Sequence, residues 1–317
     1  MDERSLAARY PFSSWGASLV REEGLQLEDL ARDPQLEGAR RKARERLLSL
    51  TSGGPPPPPS GDPLTEVGAY LICRVVLASL GDKILLRRFA EQESKRFASA
   101  AKLEDQEVLS ALASELGVEV SWDGREALVP VHHYLRLSKR LSGDSWRLVN
   151  RDVRSGVVVL SKRELVRILQ EAVREHLLSP TPRPPSLPDP LSRLAEEVMR
   201  TAPRRGPRGV GDRREVAPCM RVLLERLSRG ENLNHFERFS LAAYLLKVGW
   251  SVDRVLEAFR NSPDFNEKVA RYQIEHIARR GYLPPNCDTL RERGVCVREC
   301  GVRSPLAYRG RGSSGQD

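Results

Sequence analysis

Hydrophobic residues recur at the spacing of an α-helix through much of the first half of the chain. Three consecutive segments follow this spacing, residues 64–80, 83–101 and 104–116. Gly81 and Gly117 come directly after the first and the third segment, and glycine commonly ends helices because it tolerates the left-handed backbone conformation. The pattern therefore predicts three long helices in this part of the chain.

Alternation of apolar and polar residues follows between residues 118 and 160. Four short segments fit strands, residues 118–122, 127–131, 146–149 and 157–160. Ser161 and Glu164 then have the spacing of a capping box, which predicts a helix that runs to about residue 178. The first half of the chain is predicted to be helical with a small β insert, and nothing in it indicates catalysis.

The last third of the chain has helical periodicity alone. Four helices are predicted to begin at Cys219, Asn234, Ser251 and Asn266. Glycines at positions 230, 249 and 281 end three of them. Residues 282–308 are predicted to be mostly loop. The whole chain is therefore assigned to the mainly α class.

Two proline-rich segments divide the chain. Residues 51–63 include five consecutive prolines and predict an exposed loop with polyproline conformation. Residues 179–190 contain six prolines, and a short helix at 191–199 and a Gly/Arg-rich stretch follow. We expect four parts in chain order, an N-terminal domain (1–178), a flexible linker (179–214), a helical C-terminal domain (215–308) and a disordered tail (309–317).

Composition excludes several classes of protein. The 317 residues are 40% hydrophobic and 30% charged, which suits folded domains rather than a collagen-like, coiled-coil or wholly disordered chain. The sequence contains no run of 18 apolar residues, so no membrane span is predicted. The first residues also lack the apolar core of a signal peptide. We therefore expect a cytoplasmic protein with no membrane partner.

Positive charge is concentrated in the last third of the chain. Residues 201–317 contain 22 Lys and Arg against 14 Asp and Glu, whereas residues 1–200 contain 30 against 29. A basic domain attached to a neutral one indicates a polyanionic partner, such as nucleic acid, for the basic domain.

Four of the five cysteines lie in this basic domain. Cys219 is separated by 67 residues from a group of three, Cys287, Cys296 and Cys300. A loop with little core of its own needs a cross-link, and inside a cell that link is usually a metal. Four thiolates suit zinc or an iron–sulfur cluster, and the spacing leaves both open. The fifth cysteine, Cys73, lies in an apolar helix and is interpreted as a small buried hydrophobe.

Two pairs of residues are candidates for contacts with nucleotides. His235 and Arg238 share a face near a helix start, where a phosphate is well accommodated. Tyr272 and His276 lie one helical turn apart and could stack a base and contact a phosphate. A solvated polar edge for the first pair, and a tyrosine at the edge of the core for the second, are the alternatives.

Several catalytic signatures are absent from the sequence. It contains no phosphate loop of the G-x-x-x-x-G-K-[ST] type, no G-x-S-x-G motif and no D-x-D pair. The motifs therefore favour a binding and positioning protein over a catalyst.

These residues resemble the large subunit of archaeal and eukaryotic DNA primase. In the basic domain the similar segments are those around Cys219, His235 to Arg238, Tyr272 to His276, and Pro284 to Cys287 with the two cysteines that follow. In the N-terminal domain they are Tyr10 to Phe12, Arg87 to Glu93 and Trp146 to Asn150. The five-proline loop, the short interval between the last two cysteines, and Asn234 at a position that tends to be basic in eukaryotes depart from the family.

The resemblance implies a noncatalytic regulatory subunit that primer synthesis in DNA replication requires. It implies a [4Fe–4S] cluster on Cys219, Cys287, Cys296 and Cys300. His235, Arg238, Tyr272 and His276 would bind nucleotide or nucleic acid. The implied partners are a small catalytic primase subunit in a heterodimer, template DNA, an RNA or DNA primer and the initiating nucleoside triphosphate.

Two other functions compete with this one. The first is an iron–sulfur DNA repair enzyme, which would carry a compact cysteine set and a catalytic Asp or Lys. The second is a zinc-stabilised nucleic-acid-binding or interaction module.

Overall fold

A computed structural model describes residues 2–141, 143–184, 186–202 and 216–308. The chain forms two compact units, residues 1–202 and residues 203–317, and each is described by itself. Both are helical, and the four strands that the structure describes belong to the first unit, which confirms the mainly α prediction.

The first unit contains ten α-helices within its described residues. In chain order they are α1 (Glu3–Arg9), α2 (Ser14–Glu22), α3 (Leu27–Arg32), α4 (Glu37–Ser52), α5 (Pro63–Leu80), α6 (Lys83–Ala101), α7 (Gln106–Glu115), α8 (Val131–Ser138), α9 (Lys162–Leu178) and α10 (Leu191–Thr201). The core lies between α4, α5, α6 and α9, and includes Leu47, Ile72, Phe89 and Leu169.

The ends of these helices follow their capping residues. The Asp62 side chain accepts a hydrogen bond from the Thr65 N–H at the start of α5, and Gly81 ends that helix with a φ of 63°. At the start of α9, Ser161 and Glu164 form the predicted capping box. The helices predicted over 64–80, 83–101 and 161–178 are therefore confirmed, and the one predicted over 104–116 is two residues shorter at its start.

A buried ionic cluster joins α4, α5 and α6. Glu66 is 0% exposed and accepts hydrogen bonds from Arg46 and Arg96, and its Oε1 lies 2.8 Å from Lys42 Nζ. The amide of Ser60 also donates to Glu66, at 2.6 Å. Because Lys42 additionally donates to the carbonyl of Pro58, the cluster holds one end of the five-proline segment.

That segment is an exposed loop, as the sequence predicts. No helix or strand is assigned to Gly53–Ser60 in the described chain, and Pro55, Pro56, Pro58 and Pro59 are exposed. A run of prolines cannot donate backbone hydrogen bonds, so contacts through its carbonyls, such as that with Lys42, fasten it to the unit.

The sheet has the strand order β1-β2-β4-β3 and is antiparallel throughout. Its strands are β1 (Ser121–Asp123), β2 (Glu126–Pro130), β3 (Val153–Arg154) and β4 (Val157–Leu160). Ala127 faces Leu160 in the register of β2 and β4, and both are buried. The prediction for β4 is confirmed, whereas β1 begins three residues later than predicted.

The strand predicted over 146–149 is wrong. Two 3-10 turns, Asp144–Trp146 and Leu148–Asn150, occupy this stretch. The Asn150 side-chain amide donates to the carbonyl of Asp144 at 2.8 Å and closes the two turns against each other. A four-residue alternation is too short to distinguish a strand from such turns.

Helix α10 changes the prediction of a flexible linker over residues 179–214. It packs on α4 and α5 through Leu191, Leu194, Ala195 and Val198, all of them buried. An ion pair between Arg44 and Glu197, 2.8 Å from Nε to Oε2, adds to this contact. The first unit therefore extends to residue 202. The remainder of the expected linker, 203–214, and the expected tail, 309–317, lie outside the described residues.

One helix within the described residues, α5, is long and apolar enough to cross a membrane by length and composition alone. It is the helix that carries Glu66, and it packs against α1, α4 and α10. A fully buried, ion-paired carboxylate identifies it as a core helix of the first unit.

The second unit contains five α-helices among its described residues. They are α11 (Pro218–Ser228), α12 (His235–Lys247), α13 (Val252–Phe259), α14 (Glu267–Arg280) and α15 (Cys287–Glu292). Asn234 and Glu237 form a capping box at α12, and Gly281 ends α14 with a φ of 64°. The four predicted helices are confirmed, while α15 was expected to be loop.

Candidate functional site

The four cysteines of the second unit line one cavity of about 310 Å³. Cys219 lies in the first turn of α11, and Cys287 is the first residue of α15. Cys296 and Cys300 lie on the chain that follows α15. The structure therefore brings together one thiol from the start of the unit and three from its end.

Local hydrogen bonds shape the cysteine-bearing loop. The side chain of Asn286 caps α15 by accepting from the Thr289 N–H at 2.8 Å, and Cys287 N–H donates to the carbonyl of Arg303 at 3.0 Å. The amides of Val295 and Cys296 both donate to the carbonyl of Leu290, at 2.8 and 3.1 Å. These bonds fold residues 287–303 back on themselves around the thiols.

Tyr244 fixes the position of Cys219, the thiol at the start of the unit. Its side chain is buried, and its hydroxyl accepts a hydrogen bond from the Ala217 N–H at 3.1 Å. Ala217 is the residue before α11, so this bond ties the start of that helix, and Cys219 with it, to α12.

The surroundings of Cys219 and Cys287 oppose the ionisation of these two thiols. Burial, together with the neighbouring Cys296 and Cys287 thiols, raises the pKa of Cys219 to about 11. Burial, together with the thiols of Cys296 and Cys300, also raises the pKa of Cys287. Positive charge that enters the cavity would favour the thiolate forms of Cys219 and Cys287.

Arginines near the thiols supply part of that charge. Arg291, Arg298 and Arg303 line the same cavity. The carbonyl of Arg298 accepts the Sγ–H of Cys296 at 3.3 Å and of Cys300 at 3.5 Å. Arg293 is outside this lining and lies over the ring of Phe236, 5.8 Å from its centroid.

The donor set suits either zinc or an iron–sulfur cluster. Four sulfurs share the cavity. Four thiolates can hold one tetrahedral zinc ion, or a [4Fe–4S] cluster in which each thiolate binds a different iron. Within the described residues, no three His, Cys, Asp or Glu side chains are placed closely enough to hold a metal ion.

Cys73, by contrast, is buried in α5, and burial raises the pKa of its thiol to about 12. It lies in the first unit, and its Sγ contacts the carbonyl of Ala43 at 3.7 Å. The interpretation of Cys73 as a small buried hydrophobe is confirmed.

A second cavity, of about 330 Å³, is lined by all four residues proposed to bind nucleotides. His235 and Arg238 reach it from α12, and Tyr272 and His276 reach it from α14. Ala242, one turn beyond Arg238, lies in the same wall. The two pairs, 34 residues or more apart in the sequence, thus belong to one site.

Aromatic side chains form one part of the lining of this second cavity. The rings of Tyr272 and His276 stack at 6.4 Å and 24°, and the His276 and Tyr282 rings lie 6.0 Å apart. Tyr282 in turn meets Phe239 edge-on at 5.9 Å. Tyr272 is 65% exposed, so it is a surface ring rather than part of the core edge.

Arg238 contributes a polar part of the lining. Its Nη2 lies 2.6 and 2.7 Å from the two carboxylate oxygens of Asp264, and its Nε donates to the carbonyl of Leu233 at 2.7 Å. Asp264 and Tyr282 also line the cavity but were not identified from the sequence. Asp264 is 26 residues from Arg238, in the loop between α13 and α14, and no local pattern connects the two.

The combination of an aromatic rim with a basic group suits a nucleotide. Phe239, Phe259 and Phe265 provide apolar walls, while His235 and Arg238 offer donors for phosphate. The second unit therefore contains one cavity whose lining suits a nucleotide and a second cavity lined by four cysteines.

Comparison with known protein families gives two matches. Residues 8–180 match the N-terminal domain, and residues 211–308 the C-terminal domain, of the eukaryotic and archaeal DNA primase large subunit. Three similar proteins carry the name DNA primase large subunit PriL. The one from Methanocella arvoryzae is 31% identical over 95% of this chain and 87% of its own. The one from Methanosarcina mazei is 34% identical over 95% of this chain and 86% of its own. The one from Methanococcoides burtonii is 32% identical over 97% of this chain and 92% of its own.

The chain belongs to the large-subunit family of archaeal and eukaryotic DNA primases. It is thus a noncatalytic subunit of the primase that acts in DNA replication. This confirms the resemblance inferred from the sequence and removes the alternative of a repair enzyme.

Proposed function

We propose that Cys219, Cys287, Cys296 and Cys300 hold a [4Fe–4S] cluster. The observation that supports this proposal is the shared cavity, which all four thiols line. When bound, the cluster supplies the positive charge that four neighbouring thiolates need and joins the loop to the helices. Arg298 and Arg303 balance the remaining negative charge of the ligand set.

Metal analysis of anaerobically purified protein tests the cofactor. We expect brown protein with about four iron atoms and four sulfides per chain. Cys287→Ser should lose most of the iron, whereas Cys73→Ala should keep it, because Cys73 lies in the first unit. Colourless protein with about one zinc per chain would show that the cavity is a zinc site.

We further propose that the second unit holds the template and the 5′-triphosphate end of the primer. His235 and Arg238 would contact the triphosphate, and the rings of Tyr272 and His276 would stack on the base. The supporting observation is that these four side chains line one cavity with polar donors at one part and aromatic rings at another.

The first unit would dock on a small primase subunit, which carries the catalytic carboxylates. Initiation requires two nucleotides to meet on a template with no primer to anchor them. A second site that holds the initiating nucleotide makes that encounter intramolecular. The effective concentration of this nucleotide at the catalytic site would then be far above that of a free nucleotide. Primer synthesis would take place in the cytoplasm of an archaeal-type cell.

Separating initiation from extension tests this division of labour. In complex with the small subunit, a chain that ends after Ala202 should lose de novo primer synthesis yet still extend a supplied primer. The cut keeps α10, which packs on the first unit. The intact chain should bind a template–primer with a 5′-triphosphate more tightly than the same duplex with a 5′-hydroxyl. Normal initiation by the truncated chain would refute the proposal.

A further inference from the structure

Arg238 is held by acceptors from two parts of the second unit, the loop before α12 and the loop before α14. Its Nε donates to the carbonyl of Leu233, just ahead of α12. Its Nη2 contacts the side chains of Asn232 and Asp264. The guanidinium therefore has one orientation, although it is only partly buried.

The donors of Arg238 are unequally used. Within the described residues, Nε and Nη2 donate all the hydrogen bonds of this side chain, and Nη1 donates none. Since Arg238 lines the nucleotide cavity, Nη1 is the donor left for a ligand.

Asp264 is itself well fixed. Its Oδ1 accepts from the hydroxyl of Ser262 at 2.9 Å, and Ser262 is buried. Two residues further on, Asn266 caps α14 by accepting from the Val269 N–H at 3.1 Å. The Asp264–Arg238 pair thus joins α12 to the start of the helix that carries Tyr272 and His276.

Two roles are conceivable for a carboxylate on a phosphate-binding arginine. It could occupy the place of the phosphate and have to leave, or it could orient the arginine toward the phosphate. Displacement would free only Nη2, because the carbonyl of Leu233 still holds Nε. Orientation leaves all observed contacts intact and uses Nη1, which favours the second role.

We propose that Asp264 is a positioning residue that orients Arg238 so that Nη1 can donate to the 5′-triphosphate of the primer. This inference rests on the proposed function of the same cavity. Through Asp264, the phosphate site on α12 is joined to α14, the helix that carries the rings of Tyr272 and His276.

The test compares two substrates on variants of the full chain in complex with the small subunit. The probes are one template–primer duplex with a 5′-triphosphate and the same duplex with a 5′-hydroxyl, and the measured quantity is the ratio of their dissociation constants. The variants are Arg238→Ala, Asp264→Ala, Asp264→Asn and the double Ala variant. Asp253→Ala is the control, because it removes a similar carboxylate, 2.8 Å from Arg271, that does not line the cavity.

We expect Asp264→Ala to lower the preference for triphosphate, the ratio of the two dissociation constants, by about tenfold, the value of one charge-assisted hydrogen bond. The double variant should be no worse than Arg238→Ala, since both changes remove the same contact. Asp264→Asn, which keeps an acceptor, should retain part of the preference, and the control should retain all of it.

An unchanged or increased preference in Asp264→Ala would overturn the inference, as would additive losses in the double variant. If Asp264→Ala does not fold, Asp264→Asn decides, and an unchanged preference in that variant overturns it. A wild-type complex without any preference for triphosphate would instead refute the proposed function, and the inference with it.

Discussion

Single buried charges show how closely the first unit depends on individual residues. Burial alone would raise the pKa of Glu66, but Arg46 and Lys42 hold it below its usual value. The nearby Glu93, fully enclosed and without so many donors, has a raised pKa because its burial outweighs the effect of Arg46. Glu66 therefore organises the ionic cluster, whereas Glu93 lies beside it without organising it.

Removing Glu66 should be strongly destabilising. Glu66→Ala would leave Lys42, Arg46 and Arg96 buried without their shared partner, so we expect a loss of about 3–5 kcal/mol in the free energy of unfolding. Urea denaturation of the first unit measures it. Glu28→Ala, which removes an exposed pair with Arg32, should cost less than about 1 kcal/mol. Equal effects of the two changes would contradict this account.

Glu164 gives a pH dependence with a defined sign. Burial opposes its ionisation, but hydrogen bonds from Arg151 and Ser161 lower its pKa to about 2. Because the folded pKa is depressed, the stabilisation is complete above the unfolded value of about 4.3 and disappears as the pH falls toward 2. The stability difference between wild type and Glu164→Gln should therefore be largest above pH 5 and vanish near pH 2, as followed by denaturation at each pH. A constant difference across this range would exclude the titration of Glu164 as its cause.

At the scale of elements, capping residues were the most informative sequence signals. Gly81, Ser161, Asn234 and Gly281 mark helix ends in the structure because their effects act within one turn. Short strands were less predictable. The stretch 146–149 alternates like a strand but forms 3-10 turns, since pairing depends on partners distant in the chain.

The contact between α4 and α5 gives a prediction at this scale. A Cβ on Gly68 would lie 2.9 Å from the Cβ of Ala39, closer than packed methyl groups allow. Gly68→Ala should therefore destabilise by about 1 kcal/mol, even though alanine favours helices. Adding Ala39→Gly should restore most of the loss, which a double-mutant cycle by denaturant unfolding can measure. Additive effects would show that the two positions are not coupled.

At the scale of the whole molecule, the two units have separate hydrophobic cores. The cysteines of the second unit lie at its beginning and its end, so a bound cluster would stabilise that unit by mass action on its folded state. Cofactor loss is therefore expected to act on one unit alone.

Calorimetry of anaerobic protein tests this separation. Cys287→Ser should lower the melting temperature of the second unit and leave that of the first unchanged. Cys73→Ala should do the reverse, because it opens a small cavity in the core of the first unit. A single transition that shifts in both variants would show that the units unfold together.

The sequence by itself determined the helical class, most helix ends, the basic character of the last third and the identity of the candidate residues. These depend on periodicity, capping and composition, which act over a few residues. Tertiary structure decided which residues meet. Cys219 joins the other three thiols because α11 packs on α12, and Asp264 reaches Arg238 because the loop before α14 returns to the start of α12. Such contacts follow from the packing of whole helices, which the spacing of residues along the chain does not determine.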